Sequence, residues 1–242
     1  AMFWPAIARA AAAIDGPVAL LELGSAAGLC LYPDRFGYRY GDRTFRGDSR
    51  LVLECGFDGE PPRYLGADID VVARIGLEYE PIRRSDPAAI AWLRDCVLPD
   101  NAGELGRIDR ALSIVETDGV DWRTGDFMET LPKALAEVPA GATPIVYGAH
   151  TLCCVREASR LPAILADSGR DLVWIAKEHA DNALGLVSDA AAEFATEDEL
   201  HPPVLLTAVT YRGGSRTQAW VLGEPEPFNT SLTWAPRQIP TA

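Results

Sequence analysis

The stretch that decides the fold is VALLELGSAAG, residues 18–28. An apolar run, Val18 to Leu23, carries one acid, Glu22, and ends at Gly24; the small residues Ser25, Ala26 and Ala27 follow, closed by Gly28. An apolar run without alternation suits a strand buried on both faces, as in a parallel sheet. The small-residue turn predicts a strand, turn and helix over Leu20 to Cys30, with backbone N–H groups at the helix N-terminus able to approach a ligand.

Working outward, strand-length apolar runs recur at Ile75–Glu80, Val120–Arg123, Pro144–Tyr147 and Asp171–Ala176. Longer amphipathic stretches separate them: Asp86–Leu98, which opens with a cap and a proline, then Glu129–Glu137 and Arg156–Ala166. This alternation predicts an α/β fold with a mostly parallel, doubly wound sheet. Val204–Tyr211 and Thr217–Leu222, separated by Arg212-Gly213-Gly214-Ser215-Arg216, predict a C-terminal antiparallel hairpin. Residues 38–57 suggest a β-hairpin insertion after the first helix, near the ligand end of the sheet, and the proline-rich tail 224–242 is expected to lie over the surface. The whole chain, 1–242, is then one domain.

A net charge of -13 disfavours a nucleic-acid partner, because phosphate binding needs a concentrated cationic surface. The arginines between Arg35 and Arg63 are interleaved with acids and suit a solvated face. Cys30, Cys55, Cys96, Cys153 and Cys154 lack the paired spacing of a metal site or a disulfide framework, which points to reduced thiols in a cytoplasm and to no metal. The apolar stretch Phe3–Ile14 contains Pro5 and Arg9 and predicts a packed helix rather than a signal peptide, while Ala1 before Met2 suggests a cloning remnant. No run approaches the roughly 20 apolar residues of a membrane span. A small molecule is the expected partner, and the oligomeric state stays open.

Dinucleotide sites favour Gly-x-Gly-x-x-Gly, whereas here Glu22 precedes Gly24 and Ala26 occupies the central glycine position. An acid there repels pyrophosphate and suits a cationic amino-acid ligand, so a nicotinamide-dependent oxidoreductase ranks behind other readings. Gly125-Asp126 caps the following helix, and Asp126 with Phe127 offers a hydrogen-bond acceptor for an amine beside an aromatic face. His150, after the fourth strand, is a candidate general base, with Tyr147 behind it. Cys153-Cys154 suggests small buried hydrophobes.

ELGSAAG resembles the Glu-x-Gly-x-Gly-x-Gly first motif of class I S-adenosylmethionine-dependent methyltransferases, with Gly24 and Gly28 matching two of its three glycines. The resemblance implies a Rossmann-like, methyltransferase-like fold and S-adenosylmethionine as cofactor, held at Glu22, Gly24, Ser25 and Gly28. It further implies that Glu78, in GLEYEP, holds ribose hydroxyls, that Asp126 contacts the adenine amino group, and that Phe127 lines the base pocket. On a longer scale, ELGSAAGLCLYPDRFGYRYG, GLEYEPIRRSDPAAIAWLRDCVLPD, GDFMETLPKAL and VYGAHTLCCV resemble, in order, a Rossmann-like bacterial family of unknown function, DUF2332, over residues 18–223. Its members carry a helical region before the first motif, where this sequence has about 17 residues. The implied activity is methyl transfer to an unidentified small molecule; the alternative is a noncatalytic Rossmann-like domain that binds a nucleoside or a protein.

Overall fold

Val18–Leu23 forms strand β1, buried at every position. Its edges pair with two parallel strands, β5 (Val71–Glu78) and β7 (Thr143–Ala149). β5 in turn pairs with β6 (Asp121–Thr124), and β7 with β8 (Leu172–His179), again in parallel. The order β6-β5-β1-β7-β8 sends the chain to opposite sides from β1, so the switch point lies between β1 and β7. In open sheets the crevice at that point, outside the carboxyl ends of the strands, is where ligands sit. The computed structural model describes residues 1–97, 102–194, 203–226 and 229–241.

Beyond β8 the sheet becomes antiparallel. β9 (Val204–Arg212) turns through Gly213-Gly214 into β10 (Ser215–Pro225). The tail does not lie loosely over the surface: Ser231–Ile239 forms β11, antiparallel to β10, with Leu232, Trp234 and Ile239 buried. That strand gives the 38–57 region its place. β4 (Val52–Asp58) pairs with β11, and β2 (Gly37–Tyr40) with β4, and β2 forms a hairpin with β3 (Arg43–Phe45). The insertion therefore extends the far edge of the same sheet, which has eleven strands among the described residues, instead of standing beside the β1 turn. Aromatic packing fixes it there: Trp4 stacks on Tyr38 at 5.3 Å, and Tyr38 on Tyr40 at 5.7 Å.

Helices cover both faces. α1 (Phe3–Ala12) buries Trp4 and Ile7 in one core with Leu20, Ile145, Tyr147 and Ile175. Two further helices follow β5, α2 (Pro87–Asp95) and α3 (Ala102–Asp118), and α3 adds Ala111 and Ile114 to that core. The opposite core takes Leu21, Leu23, Val146 and Trp174 from the sheet, together with α4 (Phe127–Glu137), α5 (Leu161–Asp167) and the short α6 (Ala180–Ala183). The sequence reading missed α3, started α5 too early because Pro162 sets its first turn, and ran α2 to Leu98, which lies outside the described residues. No described helix is long and apolar enough to cross a membrane.

The expected helix after β1 is absent. Two single 3-10 turns, Leu29–Leu31 and Pro33–Arg35, take its place. Pro33 disfavours helical backbone at Tyr32 and removes a donor. Arg74 then pins the segment, donating two 2.7 Å hydrogen bonds to the Asp34 carboxylate and one of 2.6 Å to the Leu31 carbonyl.

Trp4→Ala removes the ring that joins α1 to β2 and is expected to cost about 3–5 kcal/mol of stability. Arg39→Ala, which removes only an exposed pair with Glu54, is expected to cost under about 1 kcal/mol. Urea denaturation followed by circular dichroism measures both.

Candidate functional site

Gly24 and Ala26 take left-handed backbone, with φ of 67° and 48°. For a non-glycine such as Ala26 this conformation is uncommon and persists where surrounding contacts enforce it. Here the loop's own hydrogen bonds do so. Gly24 N–H and Ser25 N–H donate to the Leu77 carbonyl at 2.9 and 3.4 Å, and Gly28 N–H donates to the Ser25 carbonyl at 2.7 Å. Ala26 N–H donates to a Glu78 carboxylate oxygen at 2.7 Å. The other Glu78 oxygen accepts from Tyr79 N–H at 2.7 Å and Glu80 N–H at 3.3 Å. Despite the long separation in sequence, the insertion runs to the far sheet edge and lets Glu78 close directly on the β1 turn. Gly28 is favoured by its left-handed φ of 71°, and a Cβ there would also crowd the Val120 and Trp122 side chains at 3.0 and 3.3 Å.

Next to Glu78, Gly125 N–H donates to its carbonyl at 3.0 Å, which places Asp126 and Phe127 beside it. One Asp126 oxygen accepts from Met128 N–H at 2.8 Å and caps α4. The second takes no hydrogen bond among the described residues and remains able to accept one. Gly24, Glu78, Asp126, Phe127 and His150 line one cleft of about 740 Å³, together with Arg156 and Arg160. That volume falls in the range of small-molecule and cofactor sites.

Other expected site residues lie elsewhere. Ser25 is buried and donates its hydroxyl to the Glu22 carbonyl at 2.7 Å, and neither it, Gly28 nor Glu22 lines the cleft. Glu22 faces the α1 side of the sheet, only 6% exposed, with one carboxyl oxygen unpartnered. Burial pushes its pKa up, a hydrogen bond with the Cys30 thiol opposes this, and the Glu78 charge adds to it. Tyr147 is fully buried on that same side and donates to the Cys30 carbonyl at 3.0 Å, away from the cleft. Cys153 and Cys154 are exposed thiols rather than buried hydrophobes, because they follow the end of β7 on a 3-10 turn.

Reasoning from sequence missed the groups that hold His150. Its backbone is left-handed at φ 52°, with N–H donated to the Lys177 carbonyl at 3.1 Å. The next two N–H groups, of Thr151 and Leu152, donate to one Glu178 oxygen at 2.6 and 3.0 Å. Glu178 is 1% exposed, and burial pushes its pKa up against these hydrogen bonds. His150 Nε2 lies 2.9 Å from Lys177 Nζ, and its ring centroid is 5.8 Å from that of His179. Partial burial, then Lys177 and His179, push the His150 pKa down. The available signal was Lys177-Glu178-His179 ending an otherwise apolar strand, since buried charge without an exposed face is rarely incidental.

A family model described as an uncharacterized protein conserved in bacteria, DUF2332, matches residues 1–234. The chain belongs to the DUF2332 family. No curated protein matches it. Among solved structures, the CcbJ methyltransferase from Streptomyces caelestis is similar at 15% identity, over 99% of this chain and 73% of that one, with a TM-score of 0.29.

The buried Glu22 of this DUF2332 chain yields a pH signature. Its pKa is raised on folding, so between 4.5 and the folded value the native state holds the extra proton, and stability falls as pH rises through that window. Glu22→Gln keeps the shape of the neutral acid without the titration. Relative to the parent it is expected to gain stability from pH 5 to pH 8, measured as the difference between urea midpoints; a constant difference would show that Glu22 does not titrate in this way.

Proposed function

We propose that the cleft binds S-adenosylmethionine and that the protein transfers its methyl group to a small molecule. The observation that carries this reading is the convergence of Gly24, Glu78 and Asp126-Phe127 from the ends of three neighbouring parallel strands on one cleft. The donor set suits the cofactor. Glu78 and Asp126 retain acceptor capacity for ribose hydroxyls and an adenine amine, Phe127 offers an apolar ring, and carboxylates favour a cationic sulfonium. When bound, the cofactor supplies an electrophilic methyl group. The protein's part is to orient the acceptor, exclude water and accept a proton, for which His150 is placed in the cleft wall.

A noncatalytic nucleoside-binding role is the second reading. It is favoured by the β1 turn, whose Gly24, Ser25, Ala26 and Gly28 amides all donate within the protein. The same feature disfavours a dinucleotide, which needs outward amides around its pyrophosphate.

Calorimetric titration with S-adenosylhomocysteine, beside NAD and ATP, tests the reading. Micromolar binding of S-adenosylhomocysteine alone is expected, weakened at least tenfold, or about 1.4 kcal/mol, by Asp126→Ala and by Glu78→Gln. Folded protein that binds none of the three overturns it, and binding of adenosine without discrimination for the amino-acid portion supports the second reading instead.

A further inference from the structure

Lys177 stands apart from the other cations of the chain. It is 5% exposed at the end of β8, and its only hydrogen-bond partner among the described residues is His150 Nε2, 2.9 Å away. No described carboxylate pairs with it, since its neighbour Glu178 points to the opposite face and accepts from Thr151 and Leu152. An ammonium buried without a carboxylate in direct contact is disfavoured, and burial lowers the Lys177 pKa against the opposing charge of Glu178. In its neutral form the amine accepts a hydrogen bond from His150 Nε2–H across the 2.9 Å contact, which leaves Nδ1 with a free lone pair. The backbone is built around this pair. His150 keeps its left-handed conformation because Lys177 accepts from its N–H and Glu178 accepts from the two amides that follow.

We propose that Lys177 is a buried base behind His150, so that the two relay a proton from an acceptor bound in the cleft. The inference rests on the methyltransferase reading and names the substrate class: a nucleophile that reaches the site with an O–H, N–H or S–H proton to lose. The acceptor keeps the electron pair of that bond for attack while its proton moves to His150 Nδ1. The Nε2 proton passes to Lys177 Nζ, which leaves a neutral imidazole and an ammonium. His150 is exposed, so after product release the proton returns to water along the same path. Lys177 does not line the cleft and is a positioning residue and proton reservoir. The groups facing the pair are His179, the Ala1 amine, the Glu178 carboxylate from the other face of β8, the thiols of Cys30, Cys153 and Cys154, and Asp126 and Arg156 in the cleft lining. Burial pushes the Lys177 pKa down, in keeping with its role.

The chain holds three histidines, so long-range proton–nitrogen correlation spectra of ¹⁵N-histidine protein resolve each tautomer. At pH 8 His150 is expected to carry its proton on Nε2. In Lys177→Met the apparent His150 midpoint is expected to rise by at least half a unit, with S-adenosylhomocysteine binding unchanged. A wild-type Nδ1–H tautomer, which shows Lys177 charged and donating, overturns the relay, and this readout needs no variant to fold. Identical His150 titration in Lys177→Met overturns it as well. If S-adenosylhomocysteine fails to bind while the Nε2–H tautomer is present, the cofactor reading falls and the base pair stands; binding with the opposite tautomer removes the relay alone.

Discussion

The pairing of β1 on both edges with parallel strands is the constraint on which the molecule turns. Its backbone groups are satisfied on either side and its side chains are covered on either face, so only an apolar sequence fits, and Glu22 is the exception within it. The register does the rest. Leu23 pairs with Leu77 on one side and Gly148 on the other, which brings the next residues of all three strands to one line. Gly24, Glu78 and the turn at Ala149-His150 become neighbours by this registration, before any side chain has made a contact of its own.

The parallel half of the sheet was legible for the same reason. Double-sided burial writes a strand as an uninterrupted apolar run, and the end of such a run marks where a polar residue enters the crevice, which is how His150 was found, whereas Glu78 came from the resemblance to methyltransferase motifs and Asp126 from its helix cap and that resemblance. The far half lacked that signature. β11 carries Pro236, with Arg237 and Gln238 exposed, and is recognisable only through its partners, since its edges are supplied by β10 and by β4, which lies more than 170 residues earlier in the chain. Likewise α3 contains Gly103 and Gly106, which lower helix propensity, and its buried positions are few. The missing helix after β1 follows from a tertiary contact, the Arg74 grip on Asp34, that local pattern cannot report.

Because the β1 turn turns its amides inward, recognition in the cleft passes to side chains. A loop that offers N–H groups attracts anions; this one presents Glu78, whose carboxylate already carries three backbone hydrogen bonds and is thereby held in one orientation. Such a carboxylate is a rigid acceptor. It favours ligands with hydroxyl or amine donors over phosphates, and its orientation does not have to be purchased from the ligand's binding energy. The single turn thus sets both the strain at Ala26 and the chemical preference of the site.

The polar groups of β8 extend this logic to the opposite side of the crevice. Lys177 and Glu178 are adjacent in sequence yet face opposite sides of the sheet, so they cannot neutralise each other through a direct pair. Each carries a desolvation cost that a Leu or Val at the same position would avoid. What the fold obtains is the geometry at the end of β7, where one side chain fixes the amides after His150 and the other fixes its ring. Buried ionisable groups arranged around one exposed imidazole are poorly explained by stability, because apolar replacement would serve stability better. They fit the proposed role of holding that imidazole in one tautomer facing the cleft.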